Sequence, residues 1–455
     1  MHTTIVALAT PPGAGGIAVV RLSGSDSYAV AEQVFRPINP EKKVREAKGY
    51  TAMFGHFVQD GVVLDEVVAL FFRGPRSYTG EDVVELSCHG GMVIAQTLIS
   101  ACIKAGAQPA APGEYTQRAV LNGRMTLTQA EGVMDLISAA GRQGAALAQS
   151  ALNGSLAKTI QGHRQKLLEL AGHLAAWVDF PEEDVPQLEQ SNLLQVLNEV
   201  RQGMTALVDG YGAGAVLRQG VDVAIVGSPN VGKSTLLNWL AGFERAIVTP
   251  IAGTTRDVVE QAVMLADIRM NLFDTAGIRQ TDDVVEAEGI RRSHSKMEQA
   301  GLVLAMFDTS RPLTDEDREL AKLCGNYRAI ALLNKADLQP VWDKQELEAH
   351  FGAVVEISAA TEQGKQDLEQ AVRQVLGVDK LDYSLPCLVS QRQLAAAVSA
   401  QQALEQAIQA QRDGFGLDAV SVCLDDALEA LYQLSGEQAS EQVIEEVFSK
   451  FCVGK

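Results

Sequence analysis

Residues 227–234, Gly-Ser-Pro-Asn-Val-Gly-Lys-Ser, constrain this 455-residue chain more than any other stretch. They follow the apolar run 221–226, which reads as a strand, and lead into 233–241, which reads as a helix. A G-x-x-x-x-G-K-S loop needs that context, because its glycines let backbone N–H groups curl around phosphates at a helix N-terminus. Lys233 would then reach the β- and γ-phosphates, and Ser234 would offer its hydroxyl to Mg2+. Further apolar runs at 270–273, 303–307, 329–333 and 354–357 alternate with helical stretches. That alternation specifies a parallel sheet with crossover helices, so 214–380 is expected to be a P-loop α/β domain.

Three more motifs follow in order. Asp274-Thr275-Ala276-Gly277 comes directly after a strand, where an acidic residue meets Mg2+ through water and a glycine N–H meets the γ-phosphate. Asn334-Lys335-Ala336-Asp337 has the guanine-reading N-K-x-D pattern. There the Asp337 carboxylate accepts from the guanine N1–H and exocyclic amine, donors that adenine does not present in that geometry. Ser358-Ala359-Ala360 is the expected last base-contacting loop, and Gly253-Thr254-Thr255-Arg256-Asp257 is a candidate switch in which Thr255 ligates Mg2+. Five elements in this order specify a Ras-like GTPase domain. One part is missing: a water-orienting Gln after D-x-x-G is replaced by Ile278, leaving Asp282, Asp283, Glu286 and Glu288 as candidates.

The flanks have a different texture. Residues 1–120 mix strand-like runs (17–20, 67–72) with Gly and Pro turns and one helix (92–105), an α+β pattern. Residues 121–213 are Ala/Leu/Gln/Glu-rich, and Leu156, Ile160, His163, Leu167 and Leu170 fall on one helical face. Two prolines in Asp179-Phe180-Pro181-Glu182-Glu183-Asp184-Val185-Pro186 interrupt those helices, and Gly210-Tyr211-Gly212-Ala213-Gly214 reads as a linker. Residues 381–455 return to helices at 394–411, 426–434 and 441–451, so the α/β domain reads as inserted into an all-helical one. A net charge of -19 argues against a protein that coats nucleic acid by itself. Six scattered cysteines without a Cys-x-x-Cys pair argue against a disulfide framework or zinc site. Neither a signal peptide nor a membrane span is legible, and a cytoplasmic protein is expected.

The five motifs, together with other segments, resemble the tRNA-modification GTPases of the MnmE (TrmE) family over essentially the whole length. Those segments are Thr10-Pro11-Pro12-Gly13-x-Gly15-Gly16, Ser77-Tyr78-Thr79-Gly80-Glu81-Asp82, Cys88-His89-Gly90-Gly91, Pro112-Gly113-Glu114-Tyr115, the acidic Asp179–Asp184 stretch and the terminal Phe451-Cys452-Val453-Gly454-Lys455. The resemblance implies an N-terminal domain that dimerises and binds 5-formyl- or methylene-tetrahydrofolate, and a helical domain carrying the G domain. It implies a homodimer, a flavoprotein partner, MnmG (GidA), in a heterotetramer or larger complex, and modification of carbon 5 of the wobble uridine of certain tRNAs. The product would carry a carboxymethylaminomethyl or aminomethyl group.

Residue roles follow from the same resemblance. K+ would be held by Asn230, Thr249, Ile251 and Thr254, adding positive charge beside the transferring phosphate when two G domains meet. Mg2+ would be held by Ser234 and Thr255, and Glu286 would position the attacking water. The GTP-contacting set would be Asn230, Val231, Gly232, Lys233, Ser234 and Thr235, then Thr249, Pro250, Ile251, Ala252, Gly253, Thr254 and Thr255. It would continue through Asp274, Thr275, Ala276 and Gly277 to Asn334, Lys335, Asp337, Ser358, Ala359 and Ala360. Arg21, Glu85, Arg124 and Lys455 match the folate site. Charge suits the three cations to the glutamate-tail carboxylates and Glu85 to the pterin donors. Arg124 stands where the family often has Lys, which changes hydrogen-bond geometry. Cys452 matches a cysteine implicated in the modification, with an inert small apolar residue as the plainer reading. Cys88-His89 offers too few ligands for a metal and reads as packing. A ribosome-assembly GTPase of the Era/Der type is the alternative. It shares the Gly-Thr-Thr-Arg-Asp switch but carries a KH-like domain where this chain has Ala/Gln-rich helices.

Overall fold

The computed structural model describes residues 3–179, 190–242, 259–273, 297–381, 386–449 and 451–454. Two compact units emerge, Met1–Glu131 with Ser435–Lys455, and Gly132–Leu434.

In the first unit, strands β1 (Ile5–Leu8) and β2 (Ile17–Ser23) precede α1 (Ser27–Val34). Then come β3 (Phe35–Pro37), β4 (Thr51–Gln59), β5 (Val62–Phe72), β6 (Val83–His89), α2 (Met92–Lys104), β7 (Gln108–Pro109) and α3 (Glu114–Leu121). The seven strands form one sheet in the order β3-β4-β5-β6-β2-β1-β7, antiparallel except where β1 meets β7. Alternation sorts the side chains: Ala18, Val20 and Leu22 turn into a core shared with Leu86, Phe71, Ala31 and Leu98. The opposite face carries Val19, Arg21, Ser87 and Glu85, and leaves Ile17, Phe54 and Val68 exposed.

The second unit starts with α4 (Leu127–Ser138), most of which it holds, followed by α5 (Arg142–Leu152), α6 (Ser155–Asp179) and α7 (Gln190–Gln219). Leu156, Ile160, Leu167 and Leu170 are buried as their spacing implies, while His163 is only half-buried. The expected linker at 210–214 does not exist, because α7 runs unbroken through it. A helical glycine costs about 1 kcal/mol relative to Ala, so it needs a reason. At Gly214 a Cβ would sit 2.5 Å from the Cys387 sulfur, and at Gly203 the same distance from the His163 ring. These glycines let neighbouring segments close onto the helix, and they do not loosen it.

The α/β domain then follows as β8 (Val221–Gly227), α8 (Lys233–Ala241), β9 (Val259–Leu265), β10 (Ile268–Phe273), β11 (Leu302–Asp308), α9 (Asp315–Cys324), β12 (Ala329–Asn334), α10 (Gln345–Glu348), β13 (Ala353–Glu356) and α11 (Lys365–Val375). The sheet order is β13-β12-β11-β8-β10-β9, with parallel pairs throughout except at the edge strand β9. Every residue of central β11 is buried, which explains its uninterrupted apolar run. Chain order returns to helices at α12 (Gln391–Arg412), α13 (Leu417–Ser435) and α14 (Glu441–Ser449). Helix α13 begins well before the expected residue 426, because Val420 and Leu424 extend its buried face.

Residues 435–455 differ from the expectation that they belong with the helical domain. They pack in the first unit, where Phe448 and Phe451 stack at 5.0 Å and close over Gly113. A Cβ on Gly113 would lie 2.8 Å from the Phe448 carbonyl.

One contact joins the α/β sheet to the helices beside it. Ala266 and Asp267 take left-handed conformations in the β9–β10 turn, and the Asp267 carboxylate accepts from Arg142 N (3.1 Å) and Gln143 N (2.8 Å). It therefore caps α5 from a distant part of the chain. Asp267→Ala is expected to destabilise the second unit by about 1 kcal/mol, with Asp267→Asn intermediate. Calorimetry reads this as a lowered melting midpoint; an unchanged midpoint in the alanine variant would remove any role for the cap.

Candidate functional site

The phosphate loop begins where β8 ends. Gly227 takes φ 151° against Met306 of β11, and a Cβ there would meet the Met306 carbonyl at 2.6 Å. Asn230 (φ 61°) and Gly232 (φ 107°) are left-handed, and Gly232 caps α8. A side chain on Gly232 would collide with the Asn334 amide, so only glycine fits there. Lys233 Nζ donates to the carbonyls of Gly227 (2.7 Å) and Ser228 (2.8 Å), which folds the ammonium back over the loop. Burial pushes the Lys233 pKa down, marking a desolvated cation. Val231 is buried, whereas Asn230, Ser234 and Thr235 are exposed at the start of α8. The loop thus presents an ammonium, a helix N-terminus and hydroxyls on one side, which fits a Mg2+-bound triphosphate.

Asn334 and Lys335, at the end of β12, join the base side to the phosphate side. Buried Asn334 donates from Nδ2 to the Val231 carbonyl (2.7 Å) and accepts at Oδ1 from Ala359 N (3.0 Å). One side chain therefore holds the phosphate loop and the Ser358-Ala359-Ala360 loop together. Lys335 (φ 68°) pairs with Asp308 at 2.6 Å, and Ala336 N donates to the Ile357 carbonyl. Burial works to raise the Asp308 pKa, but hydrogen bonds from Lys335 and Ser310 outweigh it and hold the carboxyl below its usual range. Asp337 and Ala360 are exposed; Ser358 and Ala359 are buried in the loop wall.

Several expected residues lie outside the described residues. These are Thr249, Pro250, Ile251, Ala252, Gly253, Thr254 and Thr255, then Asp274, Thr275, Ala276 and Gly277, together with Ile278, Asp282, Asp283, Glu286, Glu288 and Lys455.

The other candidate site lies in the first unit. Arg21 and Glu85 are cross-strand partners on β2 and β6, with Nε and Nη2 of Arg21 both 2.8 Å from Glu85 Oε1. Arg21 Nη1 also donates to the Gly454 carbonyl (3.3 Å), so the C-terminal segment reaches this pair. The rings of Tyr78 and Tyr115 lie 5.8 and 5.6 Å from the guanidinium carbon, and buried Tyr115 donates its hydroxyl to the Arg21 carbonyl. Arg124 is exposed and tied to the Ser77 carbonyl (3.1 Å), next to Tyr78. Two cations, one carboxylate and two rings fit a ligand with anionic and aromatic parts. The two tyrosines were missed as site residues, although both stand in quoted motifs. Other motif residues are structural. Arg118 joins Glu81 (3.2 Å) and Glu114 (2.7 Å), and Asp82 pairs with Arg73 (2.7 Å).

Cys452 is exposed, and its carbonyl accepts from Gly113 N. The packing role expected of Cys88-His89 holds only for Cys88, which is buried. The His89 side chain is 71% exposed and pairs with Asp65 at 2.5 Å. Among the described residues no cluster of His, Cys, Asp and Glu could hold a metal ion, and no helix is long and apolar enough to cross a membrane.

Comparison with known proteins matches this arrangement. Residues 127–452 fit the family profile of the MnmE helical domain, and residues 4–124 that of the GTP-binding protein TrmE N-terminus. The chain is 39% identical over 459 residues to the tRNA modification GTPase MnmE of Thermoanaerobacter pseudethanolicus, covering 99% of each. Against the tRNA modification GTPase MnmE of Symbiobacterium thermophilum it is 42% identical over 463 residues, again covering 99% of each. A crystal structure of Aquifex aeolicus Era bound to GDP and AlF4− is 27% identical over 40% of this chain and 66% of that one, at a TM-score of 0.24, and no conclusion rests on it. With a helical core, an N-terminal sheet unit and an inserted phosphate-loop domain all accounted for, the chain belongs to the MnmE family of tRNA-modification GTPases.

Proposed function

We propose that this chain is a K+-activated GTPase that acts with the flavoprotein MnmG to modify carbon 5 of the wobble uridine of certain tRNAs. The observation that carries the GTPase half is Asn334, whose single side chain spans the phosphate loop and the last base-contacting loop. Phosphate and guanine recognition then share one rigid frame. Lys233 neutralises the β- and γ-phosphate oxygens, Asp337 reads the guanine donors, and Glu286 positions the attacking water. Ser234 and Thr255 would hold Mg2+, which neutralises phosphate charge when bound. Asn230, Thr249, Ile251 and Thr254 would hold K+, which when bound supplies charge beside the transferring phosphate. The nucleotide set includes the neighbouring Val231, Gly232, Thr235, Pro250, Ala252, Gly253, Thr254, Asp274, Thr275, Ala276, Gly277, Lys335, Ser358, Ala359 and Ala360.

In the first unit, Arg21, Glu85, Arg124 and Lys455 would bind a tetrahydrofolate derivative, which supplies the one-carbon unit when bound. The Arg21–Glu85 pair with its two flanking rings supports this. Exposed Cys452 takes part in the modification. The uncovered sheet face bearing Ile17, Phe54 and Val68 supports a homodimer through this unit. The acidic chain relies on its partner for much of its attraction to tRNA.

Nucleoside mass spectrometry on tRNA from cells lacking the protein tests the reading. Carboxymethylaminomethyl-type uridines should vanish and return with wild type but not with Glu286→Ala, whose kcat should fall about a hundredfold at unchanged KM. Unaltered tRNA with unassembled ribosomal subunits would replace this reading by an Era/Der-like assembly role.

A further inference from the structure

The phosphate loop is anchored to a carboxylate that none of its motifs contains. Asp317, on the first turn of α9, is 1% exposed, and its Oδ1 accepts from the Ser228 hydroxyl at 2.5 Å. Its other oxygen accepts from Arg311 Nη1 (3.0 Å), Thr314 N (3.0 Å) and Thr314 Oγ1 (2.9 Å). Four donors and the N-terminal end of α9 therefore hold one buried charge in a single orientation. Ser228 is the residue whose carbonyl, with that of Gly227, accepts from Lys233 Nζ. Fixing the Ser228 side chain thus fixes the peptide planes that aim the lysine. The same cluster continues toward the base side, since Arg311 also lies 4.0 Å from Asp308, and Asp308 holds Lys335 at 2.6 Å.

We propose that Asp317 is a positioning residue for GTP binding and hydrolysis, acting through the Ser228 hydroxyl to set the opening of the phosphate loop. The proposal rests on the reading of residues 227–234 as the phosphate loop. It predicts an effect transmitted by one hydroxyl. A shape-conserving loss of that hydroxyl leaves Asp317 capping its own helix but frees the loop, whereas a residue that keeps the hydroxyl preserves the anchor.

Dissociation of fluorescent GDP and a non-hydrolysable GTP analogue from the full chain tests this, alongside GTP turnover and the melting midpoint. Ser228→Ala should speed dissociation and raise KM about tenfold while kcat falls no more than about threefold. Ser228→Thr should stay within about twofold of wild type, a rescue that a merely space-filling role would not require. Asp317→Asn should lower the melting midpoint through its lost cap. Added to Ser228→Ala, it should change dissociation by less than about twofold, because the link is already broken. Unchanged dissociation in Ser228→Ala, or fully multiplicative effects in the double variant, would overturn the proposal. Wild-type protein that fails to prefer fluorescent GDP over ADP would instead overturn the nucleotide reading on which it rests.

Discussion

Lys233→Ala is expected to reduce kcat/KM for GTP hydrolysis about a thousandfold while moving the melting midpoint by no more than about 2 °C. The two halves of this expectation have separate causes. The catalytic loss follows from removing a desolvated ammonium that lies within the loop and faces developing phosphate charge, where no solvent screening can replace it. The small stability change follows from the direction of the lysine's pKa. Burial pushes it below the ordinary value, so folding favours the neutral form over the charged one. At neutral pH the folded state therefore carries an unfavourable charged group, and deleting it relieves a cost that otherwise persists until pH rises past the folded pKa. Steady-state GTP turnover with potassium present, paired with calorimetry, checks both halves. Turnover near wild type would remove Lys233, and with it the loop at 227–234, from the active site.

Arg218→Ala should produce the largest loss of stability, about 3 kcal/mol, read as a melting midpoint of the second unit lowered by about 6–10 °C. Arg218 is 3% exposed at the end of α7, where the chain turns at Gly220 into β8. Its Nε lies 3.2 Å from Asp135 of α4, while Nη1 and Nη2 donate to the carbonyls of Leu388 (3.0 Å) and Val389 (2.9 Å). One side chain thus ties the segment entering the α/β domain to the segment leaving it. Its removal strips the Asp135 carboxylate of its cation and two buried carbonyls of their donors. Losing one partner is costly because the other stays desolvated, whereas replacing both with apolar groups need not be. Arg218→Met with Asp135→Leu should accordingly recover more than half of the loss. Equal destabilisation by the single and double changes would mean that packing, and not the ion pair, is what matters there.

The difference between these two sites shows what a sequence exposes. The Lys233 site was legible because a phosphate loop demands glycines, a lysine and a hydroxyl at short fixed spacings, all local in the chain. The five nucleotide motifs, the strands 221–226, 303–307 and 329–333, and the helical face through Leu156 and Leu167 are local patterns of the same kind. Arg218, Asp135 and Leu388 are far apart in sequence, and nothing in their spacing announces a shared site. The Thr314-x-x-Asp317 capping pattern could have been read, but not that Asp317 would meet Ser228.

The sequence alone determined the nucleotide chemistry, the family and the alternation of helix and strand, because backbone periodicity and motif spacing are short-range properties. Tertiary structure alone decided that α7 runs straight through Gly210–Gly214, since a glycine pair reads the same whether it loosens a linker or admits a packed neighbour. It also decided that the C-terminal segment closes over Gly113 and reaches Arg21, and that Tyr78 and Tyr115 flank that cation. Those outcomes depend on which distant surfaces bury each other, and burial is a property of the whole fold.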